Sequence, residues 1–440
     1  MESGVSSAMQ SIAFDPANAK AALQQLPKTA AVFALYGAEA RDEPYIGRTP
    51  NLRGRLERLL QPSARHPKRL QLAGRVRRIA WRLTGSDFES LLLQFGLLQA
   101  GYGAKCLERM HLRAPAFVRY LGSNAYPRIV VTHKPSQREA DWAYGPFASR
   151  AAAERFAEEA LKLFLLRRCT DDLNPDPSHP GCVYSEMKMC LAPCYKGCTD
   201  ERYAEEAVAV ENFLATRGES KLVTLRAERD KASEALEFEA AAALHTQVQR
   251  VESVRALAPE LVQPMSRLRA VVLQASAQPD EVAMFLYENA RLRGPVGFST
   301  LGMRIQNERS GSSSLFAQPL ALEPVPEETG IEGPREQENE KTDSGTAAKP
   351  ARGLLEARME AALAELAKPV DPVDSIAPPD AVERLGHLAL LKRWYYRPEV
   401  RRSGEIFFPD DHGQWPVKAL LRGVGRVFAA GLRESTTLKT

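Results

Sequence analysis

The segment 45–55 reads Tyr-Ile-Gly-Arg-Thr-Pro-Asn-Leu-Arg-Gly-Arg and joins two elements of different type. Its first three residues have the character of a short strand that ends at a glycine. From Asn51 onward the apolar residues return with helical spacing and arginines fill the other side, the apolar positions being Leu52, Leu56, Leu59 and Leu60. The segment therefore predicts a strand that leads through a short turn into an amphipathic helix.

The sequence on both sides of this segment supplies the other elements of a small domain. Ala31–Leu35 is a short apolar strand, and Val76–Leu83 alternates apolar with basic residues, as a strand with one wet face does. Asp87 can cap a helix that runs through Phe95. We therefore predict a small α/β domain over residues 26–115.

Basic residues are concentrated in this domain, although the chain of 440 residues has a formal net charge of only +4. Between Arg41 and Arg82 there are twelve Lys or Arg against three acidic residues. One interpretation is a solvated face. The other is a surface that follows a phosphate backbone, because Lys and Arg displace counterions from nucleic acid. For the second interpretation the expected DNA-binding residues are Arg48, Arg53, Arg58, Arg75 and Arg77.

Five of the six cysteines lie between Cys169 and Cys198. The N-terminus shows no cationic head followed by an apolar core, so we expect no secretory signal and a cytoplasmic protein. In a long chain of this kind, clustered cysteines indicate a metal site sooner than disulfides. Four thiolates on a short loop can hold tetrahedral zinc or an iron–sulfur cluster, and ligand spacing alone does not choose between them.

The other segments complete a chain that we predict to be α+β and multidomain. No apolar stretch of about 18 residues is free of charges, so no membrane span is expected. Composition predicts a flexible tail over 1–25, a strand/helix connector over 116–168, a cysteine region over 169–200, helices over 201–258, a small β segment over 265–320, a disordered linker over 322–352 and a helical, basic segment over 353–440. In the last segment the aromatic run 394–396 either stacks on exposed bases or forms a packing face.

Several parts of the chain resemble the UvrC-type family of DNA-repair proteins. Residues 45–55 are similar to the second half of the family's GIY-YIG domain, in which an arginine follows the tyrosine by ten residues, as Arg55 follows Tyr45. Residues 26–33 resemble the opening of that domain, and residues 84–94 resemble its helix, which ends in glutamate. The resemblance implies a GIY-YIG nuclease fold near the N-terminus.

Two further matches extend the resemblance to about residue 260. The cysteine loop, with Tyr144–Phe147 before it, is similar to the family's cysteine region, and residues 231–244 resemble the UVR motif, a helical hairpin. The layout is similar to the shorter relative called Cho, because no RNase H-type nuclease pattern follows. The resemblance implies a 4Fe–4S cluster, with structural zinc as the alternative, on Cys169, Cys182, Cys190 and Cys194.

In the family, nucleotide excision repair includes nicking of one DNA strand with a single divalent metal ion, here expected to be Mg²⁺ or Mn²⁺. The resemblance implies that Tyr45 assists the attacking water, that Arg55 holds the phosphate with Arg48 behind it, and that Gln94 is a weak metal ligand. Phe33 stands where the family has a tyrosine, and Gln94 where it has the metal-binding glutamate. The alternative is therefore a catalytically impaired protein of the same fold that binds DNA or a partner.

The hairpin implies a UvrB-like partner, because UvrB is the partner of the UVR motif in the family. Its second helix departs from the family pattern at Ala243, His245 and Thr246. Two amphipathic helices joined by a short turn bury a common seam and leave one face free for a partner. A plain helical spacer is the alternative.

Overall fold

The computed structural model describes residues 9–39, 42–60, 72–170, 173–303, 348–368 and 381–437. The chain mixes helices and strands in an α+β architecture and divides into two compact units. The first unit takes in residues 1–270, 286–292 and 369–402, and the second takes in 271–285, 293–368 and 403–440. The predicted linker over 322–352 lies outside the described residues up to position 347. No helix in these described ranges is both long and apolar enough to span a membrane.

The N-terminal part of the chain forms an antiparallel sheet with helices around it. In chain order its elements are β1 (Gln10–Ala13), α1 (Ala19–Gln24), β2 (Ala31–Tyr36), β3 (Tyr45–Thr49), α2 (Leu52–Leu60), α3 (Leu72–Arg75), β4 (Arg78–Leu83), α4 (Asp87–Tyr102) and α5 (Cys106–Arg109), with 3-10 turns at 16–18 and 103–105. The strand order is β1-β4-β2-β3. The strand and helix predicted from segment 45–55 are present as β3 and α2.

The two faces of this sheet carry different helices. Phe33 of β2 packs with Leu52 and Leu56 of α2. Val32 points the other way, because side chains alternate along a strand, and it packs with Leu93 of α4. Helices α2 and α4 therefore cover opposite faces of the sheet.

The flexible tail predicted for residues 1–25 is wrong over its described part. Gln10–Ala13 pair with β4, and Phe14 and Leu23 are buried in the core beneath α2. The apolar residues here are too few to show a period, so the tertiary core specifies the segment and the local pattern does not.

Residues 116–264 form a second antiparallel sheet and the helices that pack on it. The elements are β5 (Ala116–Tyr120), β6 (Ile129–Thr132), β7 (Ala143–Phe147), α6 (Arg150–Leu161), α7 (Val183–Glu186), α8 (Asp200–Ala215), α9 (Glu219–Glu234), α10 (Phe238–Arg255) and β8 (Gln263–Pro264), with 3-10 turns at 137–142 and 193–195. The strand order is β6-β5-β7-β8. Its core joins Val118 of the sheet to Phe213 of α8, Leu222 of α9 and Val251 of α10. The predicted connector and the hairpin therefore share one core.

The remaining elements form a third sheet and three long helices. They are β9 (Ala270–Ala275), β10 (Glu281–Glu288), β11 (Arg291–Ser299), α11 (Ala348–Ala367), α12 (Ala381–Tyr395), β12 (Glu405–Phe407) and α13 (Val417–Thr437), with a 3-10 turn at 399–401. The strand order is β11-β10-β9-β12. The segment 353–440, predicted as helical, thus contains a strand, which pairs antiparallel with β9. Three residues are too few to show the two-residue period of a strand.

Candidate functional site

Tyr45 lies at the start of β3, on the face that α2 covers. Its ring is partly buried, with its centroid 6.2 Å from that of Phe33. The chain enters α2 through a hydrogen-bonded turn, in which Thr49 Oγ1 accepts from the Asn51 N–H at 3.1 Å and Asn51 Oδ1 accepts from the Gly54 N–H at 2.9 Å. This turn fixes the start of α2 relative to Tyr45.

Arg55 and Arg53 both lie on α2 but differ in their contacts. Arg55 is half-buried beside the leucine face, and in the part of the chain that the structure describes its side chain makes no hydrogen bond or ion pair. Arg53 Nε donates to the carbonyl of Leu26 at 2.6 Å, which ties α2 to the preceding segment. The guanidinium of Arg55 is therefore open to a ligand, whereas Arg53 has a structural contact.

Arg48 projects from the opposite face of β3, because it lies an odd number of residues from Tyr45. Its guanidinium forms an ion pair with Asp87 at the start of α4, and Asp87 also pairs with Arg397 at 2.6 Å. Burial, followed by the charges of Arg393 and Arg397, lowers the pKa of Arg48. Arg48 therefore belongs to a separate group of arginines on the α4 side.

Gln94 lies on α4, half-buried, next to Leu93 and one turn before Leu97. Among the described residues its side chain forms no hydrogen bond. The nearest carboxylate along the helix, that of Glu89, is buried and accepts from the Gly85 N–H at 2.8 Å, and burial raises its pKa. Glu89 therefore caps the first turn of α4 and does not replace Gln94 as a metal ligand.

The four residues expected to act in nicking thus belong to two sets. Tyr45 and Arg55 lie with the α2 face, whereas Arg48 lies with the α4 face and Gln94 lies on α4 itself. No contact given by the described residues joins Gln94 to Tyr45 or Arg55. The catalytic assignments for all four residues stay predictions.

The other basic residues of the domain form an exposed surface. Arg58, Arg75 and Arg77 are exposed, and Arg77 donates to the carbonyls of Gly74 and Val76, both at 2.8 Å. These contacts fix the guanidinium close to the backbone without neutralising its charge. The DNA-binding role of these arginines stays a prediction. The basic residues at 65, 68 and 69 lie outside the described residues.

The four predicted cysteine ligands lie in one region of the loop between α6 and α8. Burial, followed by the neighbouring Cys169, Cys182 and Cys194, raises the pKa of Cys190 to about 11. Cys190 Sγ accepts from the Ala192 N–H at 3.3 Å, and all of these thiols are free. A partly buried group of neighbouring thiols is the setting in which a bound cation would stabilise thiolates.

The fit to a metal is incomplete in this arrangement. Within the described ranges, no three or more His, Cys, Asp or Glu side chains are close enough together to hold a metal ion. Burial, followed by Asp200, raises the pKa of the neighbouring Cys198. The four-cysteine set remains a prediction.

The hairpin α9/α10 buries a seam and exposes its turn. Leu222, Leu225 and Val251 are buried in the seam. At the turn, Leu236 and Phe238 are 70% and 67% exposed. Large apolar side chains exposed side by side at a turn are typical of a surface that meets a partner.

Sequence reasoning missed the contribution of α12 to the first unit. Trp394 is buried and meets Phe88 of α4 edge to face, with ring centroids 5.4 Å apart, and the Tyr396 hydroxyl donates to the Pro146 carbonyl at 2.9 Å. For Trp394 the packing-face interpretation is confirmed. Arg393 and Arg397 of this region reach the α4 face, and no local pattern signals a contact between such distant segments.

Comparisons with known proteins match the middle of the chain. The family model described as UvrC/Cho excinuclease, middle domain, matches residues 117–213, which run from β5 to α8. The model described as UvrB/uvrC motif matches residues 219–254, which are the hairpin. No solved structure matches the chain.

Curated relatives are similar over a longer stretch. The UvrABC system protein C of Alcanivorax borkumensis is 28% identical over 211 residues, 48% of this chain and 34% of that protein. The protein of the same name from Ruegeria sp. is 30% identical over 240 residues, 54% of this chain and 36% of that protein, and the one from Pseudomonas entomophila is 28% identical over 240 residues, 54% and 39% respectively. The match spans little more than a third of each relative's length.

The second sheet and the cysteine loop lie mostly within the match to the UvrC/Cho excinuclease middle domain, and the hairpin that follows matches the UvrB/uvrC motif. Both expected matches are therefore confirmed in their order along the chain. Over these residues the chain is therefore similar to the UvrC family.

Proposed function

We propose that this chain is a nucleotide excision repair protein that binds DNA through the basic surface of its first sheet. Three features support this: the UvrC-family middle domain and motif, the exposed Arg58, Arg75 and Arg77, and the open guanidinium of Arg55. The open guanidinium of Arg55 carries the proposal, because a half-buried arginine that pairs with no described residue is costly unless a ligand pairs with it.

We further propose that the first sheet has the GIY-YIG fold. Its support is the antiparallel pairing of β2 with β3, in which Phe33 lies opposite Gly47, followed directly by the helix that carries Arg55. This arrangement brings the two half-motifs of the family together on adjacent strands. Gln94, on the helix α4 that follows, would stand in for the family glutamate.

Binding without ordinary cleavage is the function that the geometry favours. Phe33 is buried and has no hydroxyl, and Gln94 has no charge. Hydrolysis of a phosphodiester needs an activated water and neutralisation of the charge that builds on the phosphate. A divalent ion would supply both when bound, but a neutral amide is a weak ligand for a hard cation.

Nicking of one DNA strand is the second candidate, and Arg55 is the observation that favours it. Its guanidinium can donate to two phosphate oxygens at once, and α2 places it on the same face as Tyr45. The Tyr45 hydroxyl would then orient a water on the other side of the phosphate. Gln94 would offer only its carbonyl oxygen to the ion.

A nicking assay separates the two candidates. Wild-type protein is incubated with a lesion-bearing duplex in Mg²⁺ or Mn²⁺, and cut strands are resolved by denaturing electrophoresis. Binding without cleavage, with cleavage gained in the double variant Gln94→Glu/Phe33→Tyr, supports the binding function. Efficient cleavage by wild type that disappears in Arg55→Ala, with Arg250→Ala as the control at an exposed arginine of α10, establishes the nuclease instead.

We also propose that Cys169, Cys182, Cys190 and Cys194 hold a 4Fe–4S cluster, with zinc as the alternative. The placement of the four thiols in one loop, where three of them act on Cys190, and the backbone N–H donated to Cys190 support it. Bound iron and sulfide would serve a structural or redox-sensing role, since nothing described near the loop is a substrate site. Metal analysis and a visible absorbance spectrum of anaerobically purified protein test it: iron with a broad visible band supports the cluster, and zinc without such a band supports the alternative.

The hairpin is proposed to bind a UvrB-like protein. Support comes from the match to the UvrB/uvrC motif and from the exposed Leu236 and Phe238 at its turn. A spacer would have no reason to expose two large apolar side chains at its tip. Binding of purified UvrB to the full chain, measured by calorimetry, tests this partner.

A further inference from the structure

Three arginines from distant parts of the chain meet on the α4 side of the first sheet. Arg48 comes from β3, whereas Arg393 and Arg397 lie at the end of α12 and just after it; these three are called the arginine group. Asp87 contacts two of its members, Arg48 and Arg397, and the charges of Arg393 and Arg397 both act on Arg48. The three guanidiniums therefore lie close together.

The packing of α12 on α4 brings these arginines together. The rings of Phe88 and Trp394 meet edge to face, and the ring centroids of Phe95 and His387 are 5.3 Å apart. A Cβ built on Gly386 would come within 2.2 Å of the Phe95 ring, so a larger residue there would not fit. Such interlocking fixes the register of α12, and with it the positions of the two arginines.

The charges of the arginine group are not balanced within the described residues. Asp87 is shared between Arg48 and Arg397, while Arg393 donates to the Met110 carbonyl at 3.4 Å and pairs with no described carboxylate. Three guanidiniums against one carboxylate leave two positive charges uncompensated. Like charges held together in this way are destabilising unless an anion joins them.

The geometry points to a phosphate-binding site formed by Arg48, Arg393 and Arg397, whose ligand is a phosphate group of a nucleic-acid strand. The side chains of Arg48 and Arg397 are 36% and 23% exposed, and Arg393 is exposed, so a ligand can reach all three. A planar guanidinium matches phosphate oxygens in pairs. This inference rests on the proposed DNA binding and adds to it a helix that lies outside both family matches.

The alternative is that these arginines only hold α12 against α4 and bind no ligand. Arg397 could clamp α12 to α4 through Asp87, and that ion pair needs neither ligand nor Arg393. Arg393 therefore separates the two roles, because it adds positive charge without joining the ion pair. Its substitution leaves the clamp in place.

The experiment measures DNA affinity against salt for the full chain and its variants. Each arginine that contacts a phosphate contributes about one unit to the slope of log K against log salt, so Arg393→Gln lowers the slope by about 1 and Arg393→Gln/Arg397→Gln by about 2. Arg401→Gln, an exposed arginine of the following 3-10 turn, is the matched control and leaves the slope unchanged. Asp87→Asn removes the competing carboxylate and tightens binding.

The outcomes separate this inference from the proposed function. Wild-type binding with an unchanged slope in Arg393→Gln and in the double variant overturns the phosphate site and leaves DNA binding intact. If wild type binds no DNA, inorganic phosphate is used as the probe. A rise in melting temperature with phosphate in wild type that is absent in Arg393→Gln then supports the site, and equal behaviour of the two proteins overturns it.

Discussion

The tip of the Phe33 ring lies against Gly47, its partner across the β2–β3 ladder, so that a Cβ built on Gly47 would come within 2.7 Å of Phe33 Cζ. Phe33 is buried and cannot move aside. We expect Gly47→Ala to lower the free energy of unfolding by about 1–3 kcal/mol through overpacking. Urea denaturation followed by circular dichroism measures the change.

Gly74 provides the matched control for this substitution. It lies in α3, and a Cβ built there meets nothing within 4 Å. Gly74→Ala is therefore neutral or stabilising by up to about 1 kcal/mol, because alanine is favoured over glycine in a helix. Equal destabilisation by both substitutions would contradict the contact between Phe33 and Gly47.

The buried His387 makes stability depend on pH. Its Nδ1 accepts from the Leu292 N–H at 3.1 Å, and burial, followed by the charge of Arg291, lowers its pKa to about 3; Glu383 lies 4.0 Å away. Between about pH 6.5 and 3 the unfolded chain binds a proton that the folded chain does not. The contribution of His387 to the free energy of unfolding is therefore fully present above about pH 6.5. It is lost as the pH falls from about 6.5 to about 3.

The variant His387→Asn isolates this effect, because asparagine can still accept from the Leu292 N–H but takes up no proton. Between pH 7 and pH 5 we expect wild type to lose roughly 2 kcal/mol more unfolding free energy than the variant. The measurement is urea denaturation at both pH values. His245→Asn, on the exposed side of α10, is the control and should behave as wild type. An equal loss in wild type and His387→Asn would refute the expectation.

The exposed turn of the hairpin is expected to bind UvrB. Leu236 has φ of 60°, which asparagine tolerates, so Leu236→Asn with Phe238→Ser removes the apolar surface without straining the backbone. We expect the affinity for purified UvrB to fall about tenfold or more, with the melting temperature unchanged. Val223→Asn, equally exposed on α9 at 59%, is the control that should bind normally. Unaltered affinity of the double variant would leave the hairpin as a spacer.

Substitution of one cysteine tests the predicted ligand set. Cys190→Ser is expected to lose most of the bound metal, because serine is a poor ligand for iron or zinc at neutral pH. Cys198→Ser should keep its metal, because Cys198 is not one of the four predicted ligands. Metal content by mass spectrometry of the purified proteins gives the answer, and loss of metal in Cys198→Ser would require a different set.

Local signals were sufficient to predict the elements around segment 45–55, whereas the hairpin was implied by the resemblance of residues 231–244 to the UVR motif. Strand β3 begins at Tyr45 as predicted but runs through Gly47 to Thr49, and α2 repeats its leucines with helical spacing. In α2 the pattern and the packing face coincide, so the sequence alone indicates which residues are buried.

Contacts between distant segments could not be predicted in this way. β1 and β12 are too short to show a period, and they are strands because a neighbouring strand offers them hydrogen bonds. The arginine group depends on the register of α12 on α4, which local periodicity does not specify. The sequence likewise predicted that Arg48 would face the same phosphate as Arg55, but the alternation of β3 places Arg48 with Asp87.

The core that α9 and α10 share with the second sheet has a mechanical consequence. Leu222 and Val251 are anchored among the same side chains as Val118 and Phe213, so the hairpin is rooted at its base and free only at its tip. A force applied by a partner at Leu236 and Phe238 would be transmitted through the two helices into that sheet. A partner bound at the turn of the hairpin would therefore orient the second sheet, on which the base of the hairpin packs.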